Sequence, residues 1–327
     1  MLTPKHFDMP SGFLQLSKVG LTFQDITYLK TNLCGSSQFM LVVDEKNQNL
    51  TNPQQELLLW HQRLCHADMQ QVQNLMQAPQ DDTKQQILWP TIPSASNFSC
   101  LLCAACQLSK QGRRTPNHAP NLPPRMDIKQ DDLKPGDCVS MDQYESSTPG
   151  QLRHTKGKEP KKDKFNSGTI FVDHASGYIF LHNQVSLQTG KTLIGKHAFE
   201  NFAKLCGVTV KKYRADNQPF WSAEFVADIE KRGQVIGYSG VGAHHQNGVA
   251  ERAIKTFTGW AWSMLLHAVI NWPDQANLLL WPFALNHLVH MWNHMPHHET
   301  RVAPLEIFVS TVFPNYDVLQ QSHVWGC

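Results

Sequence analysis

Three acidic residues stand in settings that could do chemistry: Asp142 in SMDQY, Asp216 in KKYRADNQPF and Glu251 in HHQNGVAERAIKTF, with 34 residues between the last two. Together they read as a two-metal site acting on phosphodiesters. Phosphoryl transfer needs little covalent help from protein; divalent cations about 4 Å apart clamp the attacking and leaving oxygens, and carboxylates are the hard ligands that hold them. A single aspartate after a strand is ordinarily a turn or cap residue. Asp173 in VDHASG and Asp137 after Gly136 read that way. Lys255 lies four residues after Glu251, on the same helical face, where it could pair with a metal-held phosphate or with Glu251 itself.

A second group has soft ligands. WHQRLCH places His61 and His66 with four residues between them, and CAAC places Cys103 and Cys106 at a spacing that lets both thiolates reach one metal. Two His and two Cys point to tetrahedral Zn²⁺. Residues five apart on an ideal helix diverge by about 140°, so one histidine must sit at a turn. Cys65, four after His61, and Cys100, three before Cys103, leave alternative ligand sets open. Four protein ligands leave no position for a reactive water, so the site is structural. Binding worth on the order of 10 kcal/mol would hold together a segment too small to fold alone.

These residues need elements to position them. Residues 1–55 read as a lead-in of short strands, 56–115 as the zinc-binding segment, 116–131 as a proline-rich linker, 132–300 as the catalytic core, and 301–327 as a truncated C-terminal segment. In the core, CVSMDQY is a strand, and GTIFVDHASGYIFLHNQV forms two strands joined at DHASG. Residues 192–206 are a helix stopped by Gly207, VTVKKYRAD is a fourth strand, SAEFVADIEKRG a serine-capped helix and QVIGYSG a fifth strand. A long helix over about 249–270 carries Ala250, Ile254, Phe257, Ala261, Leu265 and Ala268 as one apolar stripe. Trp272, Trp281 and Trp292 could stack on bases but read better as core residues.

ADNQPFWSAEF followed by GVGAHHQNGVAERAIKTF, together with the His/Cys segment, resembles the integrase region of a copia-type LTR retrotransposon polyprotein, similar to elements of diatoms and other algae. The resemblance covers about 56–310. It implies an α/β fold, a ribonuclease-H-like mixed five-stranded sheet flanked by helices, preceded by a small helical HHCC zinc domain. It further implies Asp142, Asp216 and Glu251 as ligands of Mg²⁺ or Mn²⁺, and His61, His66, Cys103 and Cys106 as ligands of structural Zn²⁺, with Lys110 closing that pattern. Asn217 joins the motif after the second aspartate, Asn247 and Gly248 belong to a mobile loop before the glutamate, and these three with Lys255 would contact DNA. Gln218 and Pro219 depart from the glycine common after the Asp-Asn pair, which stiffens that loop. The implied reaction is 3′-end processing and strand transfer by a homo-oligomer on element ends and target duplex, with no small-molecule substrate.

The bulk chain accommodates this. A formal charge of +2 over 327 residues hides local basic runs, GKEPKKDK at 157–164 and LSKQGRR at 108–114, so it does not exclude DNA. The basic insertion at 151–167 reads first as a solvated loop. Most of the 17 histidines are expected at the surface. No apolar run approaches the roughly 20 residues of a membrane span, and MLTPKHFDMP has no apolar signal core, so an intracellular protein is expected, nuclear when it acts and resident in a cytoplasmic particle beforehand. Two rivals share the text: a ribonuclease-H-type nuclease that cuts without joining, and a catalytically incompetent or co-opted fragment that binds DNA or assembles.

Overall fold

The computed structural model describes residues 5–7, 42–43, 50–78, 86–98, 102–109, 133–152, 164–216, 220–239, 247–274, 276–297, 300–312 and 316–326. Asn217, Gln218, Pro219, Cys100, Lys110, the 116–131 linker and most of the basic insertion lie outside them.

Two short strands of the lead-in, β1 (Lys5–Phe7) and β2 (Val42–Val43), precede helices α1 (Asn52–Arg63) and α2 (Met69–Met76). β3 (Leu102–Cys103), paired with β2, and α3 (Ala104–Ser109) complete the His/Cys segment. The core begins with an antiparallel meander, β4 (Val139–Gly150), β5 (Phe165–Asp173) and β6 (Ile179–Gln184). After helix α4 (Thr189–Leu205) come β7 (Lys212–Ala215), α5 (Ala223–Lys231) and β8 (Val235–Tyr238). The long helix α6 (Gly248–Asn271), then α7 (Trp281–His294), α8 (Pro304–Val309) and α9 (Asp317–Gln320) complete the chain.

The sheet order is β6-β5-β4-β7-β8, with β7 and β8 joining parallel to β4. This is the ribonuclease-H-like mixed sheet that the resemblance implies. One strand was not anticipated: β1 pairs parallel with Tyr144–Ser146 of β4, making the sheet six-stranded. β4 also runs to Gly150, well past the alternating CVSMDQY text.

Side-chain alternation sorts the sheet into two faces. Val139 and Met141 of β4, Phe171 of β5 and Tyr213 and Ala215 of β7 enter one apolar cluster with Phe199 of α4, Phe225 of α5 and Phe308 of α8. Tyr144, Ile170, Val172 and Ile179 enter the other, which holds the α6 stripe from Ala250 to Leu265 and the buried apolar residues of α7, α1 and α2. The His/Cys segment therefore shares one core with the sheet and its helices. Trp281 is fully buried in it and donates from Nε1 to the Thr148 carbonyl at 2.8 Å, while Trp292 packs edge-on against Phe257 and Trp260, as the core reading of these tryptophans expected.

Local chemistry sets the turns. Asp173 holds the β5–β6 turn: Oδ2 accepts from the Ser176 amide and hydroxyl, and Oδ1 accepts from the Gly136 amide. Gly207 and Gly233, both at positive φ, end α4 and α5. Gly168 is required for a different reason: it sits opposite Tyr144, and a Cβ there would lie 2.1 Å from the phenol oxygen. No helix among the described residues is long and apolar enough to cross a membrane.

Candidate active site and metal centre

The alternation that builds the two faces also aims the aspartates. Val139 and Met141 turn to one face, so Asp142 turns to the other; Tyr213 and Ala215 do the same to Asp216. Both carboxylates thus face the α6 side. β4 and β7 run parallel with Val139 opposite Tyr213 and Ser140 opposite Arg214; two residues further, the same register sets Asp142 opposite Asp216. The ladder ends at the Ser140 pair. Asp142 is buried and Asp216 half-buried. The Ser239 hydroxyl donates to Asp216 Oδ1 at 3.0 Å, and the Gln143 amide donates to Asp142 Oδ1 at 2.9 Å.

Glu251 sits in the first turn of α6, half-buried. What brings that turn to β4 is Asn247, which caps the helix and donates from Nδ2 to the Met141 carbonyl, one residue before Asp142, at 3.2 Å. Asn247 is fully buried. Its Nδ2 end fastens α6 to β4, while its Oδ1 is buried without a hydrogen-bond partner among the described residues. Gly248 does open outward, since a Cβ there would meet nothing within 4 Å. Lys255 is exposed and makes no ion pair among the described residues, so the simple pairing with Glu251 does not form.

The donor chemistry of the three carboxylates fits a divalent cation, yet they are not drawn together as tightly as the second group. Among the described residues, His61, His66, Cys103 and Cys106 are the group of His, Cys, Asp or Glu that converges enough to hold an ion, with all four ligand atoms within 4.8 Å of one another and all four residues buried. His61 Nε2 is 3.2 Å from His66 Nδ1; Cys106 Sγ lies 3.4 Å from the first and 3.6 Å from the second; Cys103 Sγ is 3.5 Å from His66 Nδ1. A tetrahedral zinc with ordinary bond lengths has N···N edges of about 3.3 Å and N···S edges of about 3.5 Å. Four edges of the quartet match those lengths.

Backbone geometry makes this convergence attainable. α1 stops after Arg63, and Cys65 and His66 adopt left-handed φ of 57° and 59°, which swings His66 back beneath His61. One histidine at a turn is what the spacing demanded. His61 Nδ1 donates to the Ala67 carbonyl at 2.5 Å, fixing the tautomer that leaves Nε2 facing the quartet. The Cys103 thiol donates to Cys106, which holds Cys106 far below the usual thiol range despite its burial and pushes Cys103 upward. Cys65 stays outside the quartet as a core residue, its thiol pushed up by burial.

Four residues escaped the sequence reading. Ser239 follows β8, whose register with β7 sets it beside Asp216; the parallel pairing was the missing signal. His267, one of the histidines not set apart in the sequence, is buried on α6 with its ring 5.2 Å from that of His66, and burial pushes its pKa down to about 3. Ser109 of α3 and Ser263 of α6 share a hydrogen bond of 2.6 Å. No pattern within either segment reveals these pairings.

No family model matches the chain, and no curated protein matches it. Solved structures do. The HTLV-2 integrase catalytic core domain in complex with magnesium, in its trimeric form, is 17% identical with a TM-score of 0.37, over 54% of this chain and 98% of that one. The BIV integrase catalytic core domain is 15% identical with a TM-score of 0.37, over 54% and 95%. The chain is similar to integrase catalytic cores. A simian T-cell lymphotropic virus intasome in complex with PP2A regulatory subunit B56 gamma is 14% identical with a TM-score of 0.40, over 56% of this chain and 57% of that one. At such scores the weight of a functional reading falls on the chain's own residues.

Proposed function

We propose that the chain is the integrase of a copia-type LTR retrotransposon, joining element DNA to target DNA by polynucleotidyl transfer. One observation carries the reading: Asp142 and Asp216 on neighbouring parallel strands face the helix that bears Glu251, and Asn247 ties that helix to the strand of Asp142. Asp142, Asp216 and Glu251 would hold Mg²⁺ or Mn²⁺, which when bound polarises the phosphodiester and activates the attacking oxygen. The protein's part is positioning. Ser239 orients Asp216, Gly248 leaves the helix start open, and exposed Lys255, one turn past Glu251, offers a phosphate contact. Asn217 completes the motif after the second aspartate. The His61, His66, Cys103 and Cys106 quartet holds structural Zn²⁺.

The partners are element-end and target DNA, the working form is a homo-oligomer, and the place of action is the nucleus. A second reading, a DNA-binding or assembly module without turnover, has one observation in its favour: the carboxylates are less converged than the His/Cys quartet. Strand transfer by the zinc-loaded chain on labelled element-end DNA with Mg²⁺ or Mn²⁺, beside Glu251→Gln, decides between them. Joined products that fall at least about 100-fold in the variant are expected. Cutting without joining would make the protein a nuclease, and DNA binding without either activity would make it an assembly module.

A further inference from the structure

Phe220 and Trp221 follow the Asp216 loop and precede α5. Phe220 is fully buried, whereas Trp221 is 65% exposed, an unusual state for so large an apolar side chain. It is also held in place. Its ring stacks on Tyr238 with centroids 5.3 Å apart and planes within 13°, and the Tyr238 hydroxyl donates to the Phe220 carbonyl at 3.0 Å. One face of the indole is occupied by the phenol, and the residue keeps most of its surface in solvent.

The location is specific. Tyr238 ends β8 opposite Ala215, and the next residue, Ser239, donates to Asp216. The aromatic pair therefore stands at the same sheet edge as the proposed active site, one residue along each strand from Asp216 and on the other face of the sheet. Arg214, two residues before Asp216 and on its face, is half-buried and makes no ion pair among the described residues. A strand whose phosphate lies at Asp216 near that cation would, on crossing the edge, meet the open face of Trp221. A pre-stacked aromatic beside a carboxylate site and an unpaired cation suits a nucleobase that is out of its duplex.

Resting on the polynucleotidyl-transfer reading, we propose that Trp221, backed by Tyr238, is a stacking platform for one unpaired base of the DNA strand held in the active site, close to the scissile phosphate. It is a positioning residue that sets where the strand leaves the site.

The test uses the full zinc-loaded chain, with Ca²⁺ to permit binding without turnover, and a fluorescein-labelled duplex with a five-nucleotide single-stranded overhang. Single abasic substitutions are scanned through the overhang for the native protein, Trp221→Ala and Trp221→Phe. One abasic position should weaken binding by the native protein roughly 5- to 150-fold, the range of one base–aromatic stack, and cost Trp221→Ala nothing. Trp221→Phe should keep most of the native sensitivity. If Trp221→Ala binds as tightly as the native protein, or loses affinity equally at every abasic position, the platform is overturned while DNA binding stands. If the native protein binds no DNA, the polynucleotidyl-transfer reading falls and the platform with it.

Discussion

At the scale of residues, the strongest electrostatic arrangement lies away from the carboxylate site. Lys196 of α4 is fully buried, with Nζ 2.7 Å from Asp228, 2.9 Å from Glu200 and 2.8 Å from Gln234 Oε1, and over the ring of Tyr213. Burial opposes ionisation of Asp228, but Lys196 and His197 outweigh it and hold the carboxyl at about 2. Because the folded value is depressed, the stabilisation from Asp228 is complete above its unfolded value near 4 and is lost as pH falls through about 2. Lys196→Met would strand two part-buried carboxylates at a cost of about 3 kcal/mol at neutral pH, and urea midpoints taken from pH 7 to pH 2 should show a smaller loss between about pH 4 and pH 2 than in the native protein, because Asp228 is no longer held so low. An unchanged midpoint would mean that the cluster is neutral in energy. Lys196 was illegible in TLIGKHAFENF, where a lysine reads as solvent-facing; its partners Asp228 and Gln234 arrive from α5 and the turn after it.

At the scale of elements, the helix start before Glu251 matters most. Asn247 gives α6 its attachment to β4, so Asn247→Ala should cost about 1 kcal/mol in stability while leaving the Met141 carbonyl without that donor. Strand transfer should fall roughly tenfold or more, because a displacement near 1 Å at a reacting centre is that expensive. DNA affinity should change little; a rate equal to the native one would show that the tie does not position Glu251. Much at this scale was readable. The α6 stripe from Ala250 to Ala268 is buried throughout, and α4 and α5 end at the expected glycines. Boundaries failed where tertiary pairing overrode local pattern, as in β4, which continues through ESSTPG with a bulge against β5, and in β1, too short to announce itself.

At the scale of the whole molecule, the His/Cys segment is not an appendage. α3 lies along α6, the Ser109–Ser263 hydrogen bond and the His66–His267 ring contact join the two, and one apolar cluster runs through both. Stripping metal with a strong chelator, or His66→Ala, should lower Tm by 10 °C or more, since binding on the order of 10 kcal/mol is being withdrawn. Hydrogen exchange should rise in α1 and α2 and also in α6 around Ser263 and His267. Faster exchange confined to residues 52–109 would show that the two halves fold independently. The proline-rich text at 116–131 marks where chain composition changes, but composition carries no information about which surfaces meet across it.

The shared core bears on how this protein can be cut for production. The proline-rich stretch looks like the natural place to begin a shortened catalytic fragment, and residues 132–327 contain every proposed catalytic carboxylate. Such a fragment would leave bare the side of α6 that α3 covers, along with the buried surfaces that met α1 and α2, and apolar surface of that kind drives aggregation. Supplying residues 50–115 as a separate zinc-loaded chain should restore solubility, because the joint is made by packing and does not depend on the peptide bonds between the halves.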